Sequence, residues 1–168
     1  MPRKLLRDGK VVVDDWRYLT PPADDTVDAG TAVTDALILT LDQWLADRAK
    51  WLAATMRLGV VLLPAHKVEQ LAPDLQRFDL VGAEFPGPSE GRGYTHGRLL
   101  RERYGFTGEL RATGHVRRDQ LFFLARCGFN SFELPDRELD DAAGALSTFS
   151  AEYQPSNDAG LAVRLQRR

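Results

Sequence analysis

Cysteine is almost absent from this 168-residue sequence, which has one, Cys127, and therefore no internal disulfide. The three histidines lack the His-x-x-x-His or His-x-His spacing of metal ligands, so we expect no metal site. No apolar run approaches the roughly 18 residues of a membrane span, and the first residues lack the apolar region of a signal peptide. We therefore expect a cytoplasmic protein with no contact with a membrane.

Net charge is also small, with 22 Lys and Arg against 24 Asp and Glu, but its distribution is uneven. Residues 14–47 carry a net charge of −7, residues 91–118 carry +5 and residues 133–158 carry −6. This pattern favours binding of a small anion, or a homodimer in which the acidic region of one copy meets the basic region of another. The alternative is a solvated surface with internal ion pairs. Nucleic acid is not expected as a partner, because the basic centre lacks interleaved aromatic residues.

Four regions follow from the distribution of apolar and turn residues. Residues 1–20 predict a small hairpin, because the turn signal Asp8-Gly9 separates two short apolar runs. Residues 21–35 are too poor in apolar residues to pack and predict a loop. Residues 36–153 should form a single α/β domain, and residues 154–168 a C-terminal tail.

Strand-like and helix-like segments alternate through the predicted domain. Thr40 and Gln43 have the spacing of a capping box, so a helix should begin there. Its inward face would contain Leu41, Trp44, Leu45, Arg48 and Leu52. The predicted strands are residues 36–39, 58–63, 80–85, 109–113 and 131–134, and the later helices are residues 68–77, 94–104, 117–127 and 136–149. The alternation predicts an α/β fold with a mostly parallel sheet, either open or shaped like a partial barrel.

Titratable residues stand where several predicted strands end. In parallel α/β sheets, ligands bind at the carboxyl ends of the strands, so Glu84, His115 and Glu133 are expected to converge there. If the protein is an enzyme, Glu84, His115 or Asp119 would move a proton. The alternative is that Glu84 or Glu133 caps a helix or pairs with an arginine, which is a commoner role for a carboxylate.

The segment from Gly91 to Gly105 predicts a helix that begins with glycines and carries several arginines. Free N–H groups at such a helix start, with arginines beside them, would favour a phosphate, sulfate or carboxylate. The predicted anion-binding residues are Arg92, Gly93, Tyr94, Arg98 and Arg118. The alternative is that the glycines allow close packing of the helix, with Gly93 and Gly97 on one face, while the arginines pair with acidic neighbours.

The same glycines form a poor match to a dinucleotide-binding loop. The first glycine stands well beyond the strand end at Phe85, with two prolines between, and no acidic residue ends the following strand. The sequence therefore does not identify a cofactor, although an oxidoreductase that uses a flavin or nicotinamide stays a third alternative.

Several spaced motifs, in order, resemble the bacterial "domain of unknown function 934" family across roughly residues 36–153. The sequence differs from the usual pattern at residues 87–90, and His115 stands where the family usually has Asp or Asn. Genes of this family commonly lie beside those for assimilatory sulfite reductase, and members are often labelled probable oxidoreductases. The motifs are Glu84-Phe85-Pro86, Gly91-Arg92-Gly93-Tyr94, residues 98–105, residues 108–112, residues 118–123 and Arg126-Cys127-Gly128-Phe129.

The resemblance implies a pathway but no catalytic residue. We expect an accessory protein of assimilatory sulfate or sulfite reduction, which binds an anion or docks on a component of sulfite reductase. The alternative is a small anion- or nucleotide-binding enzyme, in which Arg92 and Arg98 would hold a phosphate or sulfate ester.

Overall fold

The computed structural model describes residues 3–19 and 36–148, with side chains of the last helix described through residue 146. Eight strands form one sheet in the order β2-β1-β8-β7-β6-β5-β4-β3. All neighbouring pairs from β3 to β8 are parallel, whereas β1 is antiparallel to both β2 and β8. The strands are β1 (Lys4–Arg7), β2 (Lys10–Val13), β3 (Arg17–Tyr18), β4 (Ala36–Thr40), β5 (Arg57–Leu62), β6 (Leu80–Phe85), β7 (Glu109–Gly114) and β8 (Ser131–Phe132). The predicted α/β fold with a mostly parallel sheet is confirmed.

The N-terminal hairpin is also confirmed, and it extends the parallel sheet. Asp8 and Gly9 turn the chain with φ angles of 50° and 76°, the conformation that Asp-Gly turns favour. Strand β1 then pairs with β8, where Leu6 lies opposite Phe132. The hairpin therefore brings residues from the start of the chain beside the end of the last parallel strand. The loop predicted for residues 21–35 and the tail predicted for residues 154–168 lie outside the described residues.

The sheet is curled into a half-barrel whose two faces differ in composition. Helices cover the outer face, and their apolar side chains form one large core with residues such as Leu39, Val60 and Ala112. The inner face is apolar near β3 to β6, where Trp16 and Ile38 pack together, and charged near β7, β8 and β1. Side chains of the inner face fill the space inside the half-barrel, so this space is a packed interior.

Five α-helices accompany the strands in the described part of the chain, but the helix predicted from residue 41 is two short helices. The predicted capping box is present, with the Gln43 N–H donating to Thr40 Oγ1 at 3.2 Å. The helix then breaks at Asp47 and restarts. Trp44 and Trp51, seven residues apart, are both buried, whereas Leu45 and Leu52, both expected inside, are 42% and 43% exposed. The helices are α1 (Leu41–Ala46), α2 (Arg48–Ala53), α3 (Arg92–Arg98), α4 (Leu121–Arg126) and α5 (Asp136–Thr148).

Tighter or wider turns replace parts of the other predicted helices. The segment after β5 forms two 3₁₀ turns, Val68–Gln70 and Ala72–Arg77, where a short helix broken near Pro73 was predicted. Helix α3 continues into a π-helical turn, Leu99–Arg103, and a 3₁₀ turn, Arg118–Gln120, precedes α4. In residues 3–19 and 36–148, no helix is long and apolar enough to cross a membrane.

Candidate functional site

The carboxyl ends of β7 and β8 open onto an exposed depression of about 300 Å³, which we call the strand-end pocket. This is the edge of a parallel sheet at which ligands generally bind. Three parts of the chain build the pocket: the N-terminal residue of the hairpin, the segment after β7 and the segment after β8. Its lining residues are Arg3, Gly114, His115, Val116, Arg117, Glu133, Leu134 and Pro135.

A glycine turn places His115 at this pocket. Gly114 has a φ of 83°, and an added Cβ there would lie 2.6 Å from the carbonyl oxygen of Phe85. The following N–H, that of His115, donates to the same oxygen at 2.5 Å. Only glycine combines this backbone angle with so close an approach to β6. The imidazole of His115 makes no hydrogen bond or ion pair with any described residue, so both its nitrogens are available to a ligand.

Glu133 is the acidic residue of the pocket, and three side chains hold it. The Tyr18 hydroxyl donates to Oε1 at 2.6 Å, Arg111 Nη1 donates to the same oxygen at 3.4 Å, and Arg3 Nη2 contacts Oε2. Burial, reinforced by the negative charge of Glu133, raises the pKa of the Tyr18 hydroxyl. Tyr18 therefore stays protonated and acts as a hydrogen-bond donor.

Beneath the pocket, Arg111 is fully buried and joins further carboxylates. Its two terminal nitrogens donate to Asp14 at 3.0 and 3.1 Å, and its Nε and Nη2 donate to Glu109 at 3.0 and 2.8 Å. Burial disfavours the charge, but these carboxylates outweigh it and raise the pKa of Arg111. Arg111 thus stays positively charged, and all its side-chain N–H donors are used by carboxylates. One of these donors helps to hold Glu133 in place.

Arg117 also lines the pocket, and Glu138 of α5 orients it. Its Nη1 donates to Glu138 Oε1 at 2.9 Å, and its backbone N–H donates to Gln120 Oε1 at 2.9 Å. The side chain of Arg117 is 43% exposed. Burial tends to raise the pKa of Glu138, but the hydrogen bond from Arg117 holds it below its usual range. The pair is therefore an oriented ion pair with part of the guanidinium open to the pocket.

The structure brings together two of the three residues predicted from the strand ends, and Asp119 was a further candidate for proton transfer. His115 and Glu133 both line the pocket, whereas Glu84 and Asp119 do not. Glu84 is half-buried at the end of β6 and its carboxylate makes no hydrogen bond or ion pair with the described residues, and Asp119 is exposed in the turn before α4. A catalytic role for Glu84, His115 or Asp119 stays a prediction.

The predicted anion-binding arginines pair with three different carboxylates. The backbone and side chain of Arg92 donate to Glu90 at 3.0 to 3.1 Å, so this carboxylate occupies the helix start. Arg98 contacts Glu102 at 3.4 Å, and Arg118 contacts Asp141 at 3.6 Å. Anion binding by these residues stays a prediction, and none of them lines the strand-end pocket.

The glycines of the same helix serve close packing, as one of the two sequence interpretations expected. A Cβ on Gly93 would lie 2.5 Å from the Phe85 ring, and one on Gly97 would lie 2.4 Å from the Phe129 ring. Tyr94 packs edge-on against Phe85, and its hydroxyl accepts from Gln120 Nε2 at 3.5 Å. The faces of both glycines are therefore closed to a nucleotide phosphate.

Sequence reasoning missed the two arginines of the pocket. Arg117 follows a predicted strand by only a few residues, a position that could have singled it out. Arg3 gave no such signal, because its place depends on the pairing of β1 with β8. Within residues 3–19 and 36–148, no group of three or more His, Cys, Asp or Glu residues could hold a metal ion.

Comparison with known proteins gives a family, and its residues include most of the strand-end pocket. No curated protein matches the chain. The family described as "Bacterial protein of unknown function (DUF934)" matches residues 59–163, well over half of the sequence. The matched region contains β6, β7, β8 and the segments after them, and it excludes the hairpin. The chain belongs to this family of bacterial proteins, as its spaced motifs indicated.

Proposed function

We propose that this protein binds a small oxyanion in the strand-end pocket, as an accessory protein of assimilatory sulfate or sulfite reduction. The ligand class is suggested by the side chains of the pocket. The pathway is suggested only by the sequence resemblance, since genes of the family commonly lie beside those for sulfite reductase.

The observation that carries the proposal is a pair of oriented arginines at one pocket. Arg3 and Arg117 both line it, and each contacts a carboxylate that uses only part of its guanidinium. A guanidinium has five N–H donors, so each arginine keeps donors for a ligand. Oxyanions present several acceptor oxygens with negative charge, which is what such donors recognise. A pocket of about 300 Å³ is at the small end of the range for small-molecule sites.

Calorimetric titration of the full-length protein with sodium sulfite, sulfate and phosphate tests this proposal. We expect one of these anions to bind, and Arg117→Gln to weaken binding by roughly tenfold, because a charge-assisted contact is lost. The matched control is Arg98→Gln, which removes another exposed, paired arginine outside the pocket, and it should leave the affinity unchanged.

Two results would contradict the proposal. If none of the three anions binds, the ligand class is excluded. If Arg98→Gln alone weakens binding, the ligand lies at helix α3. For the pathway, deletion of the gene should slow growth on sulfate or sulfite but not on cysteine. Purification of the tagged protein from such cells tests docking on sulfite reductase, and equal growth of the two strains on sulfate and sulfite would exclude the pathway.

A second candidate function is a small enzyme that acts on a phosphate or sulfate ester in the same pocket. It is favoured by His115, whose imidazole lies at the pocket without a hydrogen-bond partner among the described residues. Such a group can transfer a proton to or from a bound substrate. Incubation of the protein with nitrophenyl phosphate and nitrophenyl sulfate distinguishes the candidates, since an enzyme of this kind releases nitrophenol whereas a binding protein leaves the ester intact.

A further inference from the structure

The strand-end pocket includes residues that lie outside the family match. The match begins at residue 59, but Arg3 on the hairpin lines the pocket, and Tyr18 on β3 holds its acidic residue. The matched region alone would therefore present Glu133 without two of its three partners. Arg3, which directly precedes β1, supplies one of the positive charges of the pocket.

Arg3 is held in place from three directions while part of it stays open. Its Nη2 contacts Glu133, its Nε lies 3.8 Å from Asp14, and its guanidinium lies over the Tyr18 ring at 5.3 Å. Its Nη1 has no partner among the described residues, and the side chain is 45% exposed. A guanidinium fixed in this way loses little further freedom when a ligand binds.

The contacts below Arg3 allow it to take a ligand without leaving Glu133 unpartnered. Glu133 also accepts from Tyr18 and Arg111, so a shift of Arg3 by a few tenths of an ångström leaves two hydrogen bonds in place. Across the interior, three arginines and three carboxylates balance in charge. Of these three arginines, Arg3 is the one that lines the pocket. An anion bound there would therefore meet the charge-balanced cluster at Arg3.

We propose that Arg3 is a ligand-binding residue of the strand-end pocket, whose Nη1 donates to the oxyanion while Glu133 fixes its Nη2. This inference rests on the proposed function and goes beyond it. It makes the N-terminal hairpin part of the binding site, and it assigns anion recognition jointly to the hairpin and to the segment after β7. Arg3 and Arg117 then both donate to the anion, in a pocket that His115 also lines.

The test compares Arg3→Gln with Arg7→Gln by the same titration of the full-length protein with sulfite, sulfate and phosphate. Arg7 is a matched control because it also lies in the hairpin, pairs with a carboxylate of the same cluster, Glu109 at 3.3 Å, and does not line the pocket. We expect roughly a tenfold or greater loss of affinity for Arg3→Gln and a change below about twofold for Arg7→Gln. Urea unfolding of both variants verifies that they fold.

A second variant keeps the test decisive if Arg3→Gln unfolds. Arg3→Lys retains the positive charge but not the forked donors, so it should bind more weakly than the unmodified protein. If the unmodified protein binds an anion and both Arg3 variants bind it as tightly as the unmodified protein does, Arg3 is not a ligand-binding residue, and anion binding by the protein stands through Arg117 and the segment after β7 alone. If the unmodified protein binds none of the three anions, both proposals fail.

Discussion

Arg111 has no exposed side-chain surface, yet it carries a full positive charge. It is tolerated because Asp14, Glu109 and Glu133 surround it and satisfy its N–H groups. Exchange of a whole buried ion cluster for apolar residues is often neutral, but removal of one member leaves uncompensated charge. Arg111 therefore supports the site from below, and its own donors are already used.

Replacement of this arginine should destabilise the protein strongly. Arg111→Met retains much of the side-chain volume but leaves three carboxylates beside one another, and we expect a loss of about 3–5 kcal/mol in the free energy of unfolding. Urea denaturation at neutral pH measures this loss. The comparison is Arg98→Met, which removes an exposed arginine and should change the free energy by less than about 1 kcal/mol. Equal effects of the two substitutions would show that the buried cluster does not stabilise the fold.

The partners of Glu133 illustrate what the sequence could and could not predict about single residues. His115 and Glu133 were predicted to meet, because the carboxyl ends of parallel strands share one edge, and both line the strand-end pocket. The bond from Tyr18 to Glu133 joins residues 115 positions apart, and no local pattern indicates such a contact. Glu84 satisfied the same rule, but it ends a different strand and lies outside the pocket.

Helix α3 packs closely against its neighbours because two of its residues are glycines, which have no Cβ. Gly93 and Gly97 lie on one face, and each receives an aromatic ring where other residues carry a Cβ. The helical period predicted this shared face correctly. It did not predict the break at Asp47 that divides α1 from α2, because periodicity assumes that a helix continues unchanged. Trp51, seven residues after Trp44, is buried as Trp44 is, whereas Leu52 is exposed.

Addition of a single methyl group to the packed face of α3 should destabilise the protein. In Gly97→Ala the new Cβ would lie 2.4 Å from the Phe129 ring, so the helix or the ring must move, and we expect a loss of about 1–3 kcal/mol. Gly91→Ala is the control, because a Cβ there meets no atom within 4 Å, and it should change stability by less than about 0.5 kcal/mol. Thermal unfolding followed by circular dichroism gives both values. A Gly97→Ala variant as stable as Gly91→Ala would exclude the tight contact.

The curl of the whole sheet connects strands that lie near its opposite edges. Strand β3 is at one edge, and β8 lies close to the other, yet Tyr18 of β3 reaches the residue that follows β8. Arg3 adds a second connection, since its guanidinium contacts both Tyr18 and Glu133. The sequence left an open sheet and a partial barrel as alternatives, because this choice depends on contacts between residues distant in the chain. Two of the residues in these contacts, Arg3 and Glu133, also line the strand-end pocket.

If these contacts hold the curl, Tyr18 and Glu133 should be coupled in stability. A double-mutant cycle with Tyr18→Phe, Glu133→Ala and the combined variant isolates their interaction from the other contacts of each residue. We expect a coupling free energy of about 1.5 kcal/mol, since the hydrogen bond is short and its acceptor is charged. Urea unfolding of the four proteins at neutral pH provides the measurement.

The control cycle uses Tyr94→Phe and Gln120→Ala, whose side chains form a longer hydrogen bond of 3.5 Å. Both its partners lie on the helix side of the sheet, so its coupling should stay below about 0.5 kcal/mol. Similar small values for the two cycles would mean that the sheet keeps its curl through backbone pairing and interior packing alone. In that case loss of the Tyr18 hydroxyl should also leave anion affinity unchanged. If the pair is coupled, Tyr18→Phe should weaken anion binding, because Glu133 and the Arg3 that it holds are then less firmly positioned.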